Sequence, residues 1–406
     1  MNIAIVTPEF VSESNFDGGL ANYVYKLAKW LVNNNHLVTV FLIAKKNETI
    51  QFDGITIMKV AVPDVKWQYK YKFERFKILF LMNKKKYYRI EFETNSKYIN
   101  NAIKKQQQLF DIIHYPHISG LALDCPKNIP AIVRLSSSTK LCQEFGGYGN
   151  SNLSALMQEE IETKAMKKAN TVFGPSKMVA KLVEKDIHKK IKILETPYVK
   201  PNVALDDSIY KTTLNDKKYL LFFGSIGLIK GIGTIAQIID EVLEQHTHLY
   251  FVFVGKKLNN QVENVSIWEY LITKAKKHHQ RIIHFEPLKH AQLFPIIQHA
   301  ECVVLPSRID NFPNTCIEAM ANSKIVIGTI GNGFDQLIED GKSGFVIPVD
   351  DNRALLKTIT TVLNLSAEEK LKIEQAAKSR TDLLHPDIVL NELVDLYKQT
   401  IKNFKN

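Results

Sequence analysis

At 406 residues, with 45% hydrophobic and 23% charged residues, the chain has a soluble globular composition and is too long for one ordinary core, which predicts two domains. The net charge of +11 is lopsided: residues 1–200 carry 30 Lys and Arg against 18 Asp and Glu, and residues 201–406 carry 23 against 24. An excess confined to the first half predicts that this half meets something acidic, while the four scattered cysteines (Cys125, Cys142, Cys302, Cys316) argue against a disulfide scaffold or zinc module.

The chain begins "MNIAIVTPEF", which lacks the basic region of a secretory leader, and no apolar run reaches the roughly 18 residues of a membrane span. A reducing cytoplasm is the expected setting. "NIAIVT" reads as a buried first strand, and Gly18-Gly19 opens a helix with apolar residues at Leu20, Tyr23, Val24, Leu27 and Leu31. "LVTVFLIA" and "GITIMKVAV" are the next strands, followed later by "DIIHY", "AIVRL", "TVFG" and "IKILET". Prolines at 197 and 201 and the polar run "LNDKK" mark a linker between Thr196 and Lys218. The alternation restarts with "YLLFFG", then "LYFVFVG", "RIIHF", "CVVLPS", "IVIGT" and "GFVIP". Two successive strand–turn–helix series predict two α/β domains with parallel sheets. The expected boundaries are 1–199, 200–380 and a terminal helix, 381–406, that packs on either domain.

Residues 66–90 stand apart, with nine basic residues against one acidic, interleaved with aromatics. At helical spacing Tyr69, Phe73, Phe76, Phe80 and Tyr87 share a face. The pattern fits a packed helix with a solvated basic flank, and it also fits contact with an anionic membrane surface. Nucleic acid is not the expected partner, because no recognised nucleic-acid module surrounds the stretch.

Several turns carry groups suited to anions. Ligands of open α/β sheets bind beyond the carboxyl ends of the strands, where Gly18-Gly19, "FFGSIGLIKGIG" and "GNGFDQLIEDGKSG" all fall. The first glycine pair could bring bare helix-start amides to an anion. In the second stretch Lys230 can meet a phosphate as a point charge. "PSRIDNFPNTCIEAMA" places Asp310 and Glu318 eight positions apart around a helix start, with Asn314 expected as its cap. A carboxylate there accepts hydrogen bonds from a pair of vicinal hydroxyls.

These stretches, with "MKKANTVFGPSKMVAKLV", resemble the retaining GT-B glycosyltransferases of the nucleotide-sugar-dependent family four, and the resemblance covers nearly the whole chain. It implies two Rossmann-like doubly wound α/β domains facing across a cleft, with the nucleotide-sugar held mainly by the second. It implies transfer with retention from a nucleotide-sugar, by default UDP-linked, to a glycan or lipid-linked acceptor, in bacterial envelope polysaccharide synthesis. No metal or other cofactor is expected. The implied setting is cytoplasmic, with peripheral attachment to the inner membrane face through residues 66–90.

Carried over by residue, Glu318 matches the glutamate that hydrogen-bonds the ribose, and Lys230 the diphosphate-binding lysine. Gly18 and Gly19 match the glycine loop near the diphosphate, as does Gly224 on the second domain. Asn311, Phe312 and Pro313 fall where backbone amides meet the donor sugar, with Asn314 and Thr315 at the adjoining helix start. Three departures stand out. Asp310 replaces the first motif glutamate, one methylene shorter. Ser225 replaces an arginine, leaving Lys230 alone or with help from Arg308. Ser136 replaces a histidine near the sugar, with His114 and His117 as neighbouring alternatives. Lys230 and Asp310 are the expected transition-state supports, and no nucleophile is assigned. The departures also motivate a competing reading, a degenerate domain that binds nucleotide-sugar or a partner protein without turnover. A third reading, a sugar-nucleotide epimerase, would convert donor with no acceptor present.

Overall fold

A computed structural model describes residues 1–13, 19–65, 77–106, 110–146 and 153–405. The chain divides into two compact units. One comprises Met1–Glu144, Tyr148–Glu195 and Val389–Asn406; the other comprises Phe145–Gly147 and Thr196–Ile388.

The first unit carries strands β1 (Asn2–Thr7), β2 (Leu37–Ala44), β3 (Glu48–Phe52), β4 (Ile55–Ala61), β5 (Ile112–Pro116), β6 (Ala131–Arg134), β7 (Thr171–Gly174) and β8 (Ile191–Ile193). Its helices are α1 (Gly19–Asn33), α2 (Lys77–Lys105), α3 (Thr139–Gly146), α4 (Leu153–Lys168) and α5 (Lys177–Ile187). The sheet order is β3-β4-β2-β1-β5-β6-β7-β8, parallel except for the β3–β4 pair. Strands buried on both faces need continuous apolar runs, and Ile3–Thr7 and Ile112–Pro116 are buried throughout.

The second unit carries β9 (Lys218–Phe223), β10 (Leu249–Val254), a hairpin of β11 (Gln261–Val262) and β12 (Val265–Ser266), then β13 (Ile282–Phe285), β14 (Cys302–Val304), β15 (Val326–Thr329) and β16 (Phe345–Ile347). Its helices are α6 (Ser208–Thr213), α7 (Ile232–Gln245), α8 (Ile267–Lys274), α9 (His290–His299), α10 (Asn314–Ala321), α11 (Phe334–Leu337), α12 (Asn352–Asn364) and α13 (Ala367–Asp382). The last helix, α14 (Pro386–Lys405), joins the first unit from Val389 onward.

The six-stranded sheet is wholly parallel, in the order β13-β10-β9-β14-β15-β16. Setting the hairpin aside, this is the 3-2-1-4-5-6 order of a doubly wound sheet, whose direction reverses between β9 and β14. Helix α7 shows how sequence fixes the layers: Ile232, Ile235, Ile239, Val242 and Leu243 recur at helical spacing and are all buried. Ser266 with Glu269 and Ser366 with Glu369 form complete capping boxes at the starts of α8 and α13.

Of the basic stretch 66–90, residues 66–76 lie outside the described residues, as does Gly18. Helix α2 takes up the rest, with Lys85 and Lys86 exposed. Among the described residues no helix is long and apolar enough to cross a membrane.

Candidate active site

The reversal point of the second sheet gathers most of the residues singled out from sequence. The loop after β9 turns through Gly224 and a short 3-10 segment, Leu228–Lys230, before α7. The loop after β14 carries Pro306–Pro313 into α10. The two are laced together, since the Arg308 amide donates to the Ile229 carbonyl at 2.7 Å. Gly231 adopts a left-handed φ of 76° with its Cα against the Pro306 carbonyl, so any side chain there would collide with backbone. That close approach delivers Lys230: its Nζ lies 2.5 Å from Asp310 Oδ2, eighty residues away in sequence. The side chains are 33% and 16% exposed.

Asp310 is held from behind. The Gly333 amide, beyond β15, donates to its carbonyl at 2.7 Å, and a Cβ on Gly333 would strike the Asn311 and Asp310 carbonyls. Gly333 is therefore a support for the aspartate loop. Arg308 turns elsewhere, with its Nε 2.9 Å from Asp350 Oδ2. Ser225 is exposed and uncharged.

Helix α10 begins at Asn314 with Pro313 as the capping residue, and no side chain caps it. Asn314 therefore stands in the first turn, not at the cap, because Pro313 already supplies the extended backbone that starts the helix. One further correction concerns the backbone donors. Pro313 has no N–H and cannot donate to a sugar hydroxyl. The Phe312 ring is buried in the domain core, so only its main chain can face a ligand. Thr315 packs at the same corner, its Cγ2 lying 3.5 Å from where a Cβ on Gly224 would sit.

Glu318 lies on the second turn of α10, 18% exposed, with His290 Nε2 of α9 at 3.6 Å. His290 contacts the Phe294 ring, and Lys200 lies over that ring, 5.3 Å from its centroid. The Tyr198 hydroxyl is buried with no hydrogen-bond partner among the described residues. Burial and the Glu318 carboxylate push its pKa up. Sequence reasoning missed His290, Tyr198 and Asp350; each meets its neighbour only through the fold.

The first unit treats its assigned residues differently. His117 is 2% exposed. Its Nδ1 accepts from the Ser136 amide at 3.2 Å, and Ser136 Oγ lies 3.3 Å from the same nitrogen. Its Nε2 lies 3.3 Å from Ser137 Oγ. The loops after β5 and β6 are thus joined, and His117 and Ser136 come together. His114 does not join them. It sits within β5, 2% exposed, its Nδ1 2.6 Å from the Tyr397 hydroxyl of α14. This corrects its reading as a sugar contact: the ring is a core group of the first unit. Burial, and next the Arg134 charge, push both histidine pKa values down to about 3, so both rings are neutral.

Glu162 of α4 braces the same region. Its Oε1 accepts from the Ser119 amide at 3.0 Å and from Gln158, and its Oε2 from Thr139. Gly19 opens α1, with no described residue within 4 Å of where a Cβ on it would sit, and the Ala21 amide of that first turn donates to Glu9 Oε1 at 3.2 Å. An anion at that helix start meets one amide already engaged by a carboxylate.

Residues 207–380 match the family described as glycosyl transferases group 1. Among curated relatives, spore coat protein SA of Bacillus subtilis (strain 168) is 27% identical over 141 residues, covering 33% of this chain and 36% of its own length. The lipopolysaccharide core biosynthesis mannosyltransferase LpcC of Rhizobium leguminosarum bv. viciae is 27% identical over 159 residues, covering 39% and 44%. The chain thus spans less than half the length of these two relatives. Among solved structures, sucrose-phosphate synthase from Thermosynechococcus elongatus superposes with a TM-score of 0.75 at 16% identity, covering 99% of both chains. An E. coli structure described as trehalose-6-phosphate bound with UDP-2-fluoro glucose gives 0.72 at 10% identity, covering 98% of this chain and 99% of that one. At such identities the likeness shows the shared GT-B fold.

Proposed function

We propose, from the match of residues 207–380 to the glycosyl transferases group 1 family, that the protein is a retaining glycosyltransferase. It moves a sugar from a nucleotide-sugar to a glycan or lipid-linked acceptor of the bacterial cell envelope. The observation that carries this reading is the meeting of Lys230 and Asp310 where the second sheet reverses direction, the place where open α/β sheets take nucleotides.

Breaking a glycosyl–phosphate bond builds negative charge on the departing diphosphate and positive character on the sugar. Lys230 faces the diphosphate, helped by amides at the uncapped start of α10. Asp310 and the Asn311 and Phe312 main chain face the sugar, while Glu318 takes the ribose hydroxyls. The attacking acceptor hydroxyl passes its proton to the leaving phosphate, so no side-chain nucleophile is assigned and no metal is required. A uridine nucleotide is the proposed donor, supported by the UDP-sugar held by the structurally similar E. coli protein. Envelope polysaccharide synthesis is supported by the similarity to a lipopolysaccharide core mannosyltransferase. The proposed location is the cytoplasmic membrane face.

Incubation of the purified protein with UDP-, GDP- and ADP-sugars and an envelope-glycan extract tests the proposal. Release of nucleoside diphosphate that requires extract and survives a chelator is the expected result. Tight donor binding without release would instead favour a non-catalytic binding domain, and donor conversion without extract an epimerase.

A further inference from the structure

We propose that Asp310 is a built-in competitor of the nucleotide diphosphate for Lys230, so that donor entry and product release each exchange one anion for another. The inference rests on the reading of Lys230 as the diphosphate ligand.

Three observations carry it. The ammonium of Lys230 is paired within the protein itself, 2.5 Å from a carboxylate that is only 16% exposed. The pair is also built, since the Arg308–Ile229 hydrogen bond at 2.7 Å ties the two loops and the Gly333 amide holds the Asp310 carbonyl at 2.7 Å. The main chain that carries Asp310 is therefore fixed beside Lys230. Finally, neighbouring cationic charge is committed or missing: Arg308 is 2.9 Å from Asp350, and Ser225 brings none. A site expected to hold a dianion thus presents a lysine whose charge is cancelled by a carboxylate of the neighbouring loop.

Exchange resolves the arrangement. A diphosphate carries more charge than one carboxylate and takes the lysine, whose flexible stem lets the ammonium turn toward it. The same movement frees Asp310 to accept a hydroxyl of the donor sugar, coupling diphosphate capture to sugar alignment. After transfer the sugar is gone, Asp310 competes again for Lys230, and the diphosphate is displaced. The carboxylate thereby weakens ground-state product binding while serving the reacting complex.

The test is titration calorimetry on the full chain with UDP, GDP, ADP and inorganic pyrophosphate. Asp310→Asn keeps the shape and removes the competing charge. The tightest nucleoside diphosphate, and pyrophosphate, should bind D310N about fivefold more tightly than wild type, the scale of one partly screened ion pair. Turnover should fall and inhibition by the released nucleotide should deepen. Unchanged or weaker diphosphate affinity in folded D310N overturns the proposal, because a carboxylate that only holds the sugar leaves diphosphate affinity untouched. Should D310N fail to fold, D310S removes the same charge and is read the same way. Lys230→Ala separates the two layers. If K230A keeps wild-type diphosphate affinity, the assignment of Lys230 fails and the exchange with it. If K230A loses affinity and D310N gains none, the exchange alone fails.

Discussion

The two units are built on the same plan and furnished in opposite ways. Ignoring the added edge strands, both sheets run 3-2-1-4 through their reversal points, β1 against β5 in one and β9 against β14 in the other. At the second reversal point the loops present an ion pair, Lys230–Asp310, and α10 adds the partly exposed carboxylate of Glu318. At the first, the loop after β5 presents a neutral, buried histidine, His117, tied to serines, and His114 within β5 is bonded to Tyr397. Shared topology places the loops; the loop residues decide what chemistry a reversal point offers a ligand.

The sharpest way to break that contrast is to discharge the second reversal point. Lys230→Ala should lower turnover about 100- to 1,000-fold, the range seen when a preorganised donor to developing negative charge is removed. Arg308→Ala should cost much less, because Asp350 already holds that guanidinium. Steady-state kinetics on both variants decide the matter, and the reverse ranking would move the diphosphate contact to Arg308.

The neutral histidines of the first unit make an opposite kind of prediction, about stability. Both have folded pKa values near 3, below the roughly 6.5 expected when unfolded. Between those values the unfolded chain binds more protons, so stability is fully present above pH ~6.5 and is lost as pH falls. At most about 1.4 kcal/mol per histidine is lost per pH unit, and less near the unfolded value, which puts the pair at about 4 kcal/mol between pH 7 and 5. Glu162 acts in the other direction: burial raises its pKa, so its contribution weakens stability as pH rises above ~4.5. Urea midpoints at pH 7.5, 6 and 5 should therefore fall for the first unit, and His114→Gln should flatten the slope. A flat wild-type profile would mean that the rings are not held neutral.

Glu318→Ala sharpens the donor assignment within the second unit. Losing hydrogen bonds to a charged acceptor should cost about 1.5–3 kcal/mol in kcat/KM for donor. Glu318 is partly exposed and lies at the helix surface, so the fold should survive. Wild-type transfer at limiting donor would return Glu318 to an ordinary surface role.

Much of this was legible in the sequence for local reasons. Apolar runs and glycine turns mark the strand–turn–helix units, and the Asp310–Glu318 spacing survives as a loop residue and a second-turn residue of α10. What escaped depends on distance along the chain. Nothing in the sequence pairs Lys230 with Asp310, Arg308 with Asp350 or His114 with Tyr397, because each partnership forms only when separate elements dock. His114 was misread for a related reason: in a strand buried on both faces, no alternation reveals which residues face the core. The misplacement of Asn314 is a one-residue boundary shift, of the size helix ends commonly show. The missing amide of Pro313, by contrast, was available in the sequence itself.

The smallest effect is expected at the basic side of the first unit. Lys85 and Lys86 are exposed on α2, adjoining Lys84 in sequence. If this helix meets an anionic membrane, each lysine near the surface contributes about 1 kcal/mol. Replacing Lys84, Lys85 and Lys86 with glutamine should reduce co-sedimentation with vesicles rich in phosphatidylglycerol. Raising salt should reproduce the loss, because screening acts over about 10 Å at 0.1 M. Transfer to a short soluble acceptor should stay near wild type, since the second unit's charged loops are untouched. Unchanged vesicle binding by the triple variant would return α2 to a solvated basic helix, and the lopsided charge would then need another partner.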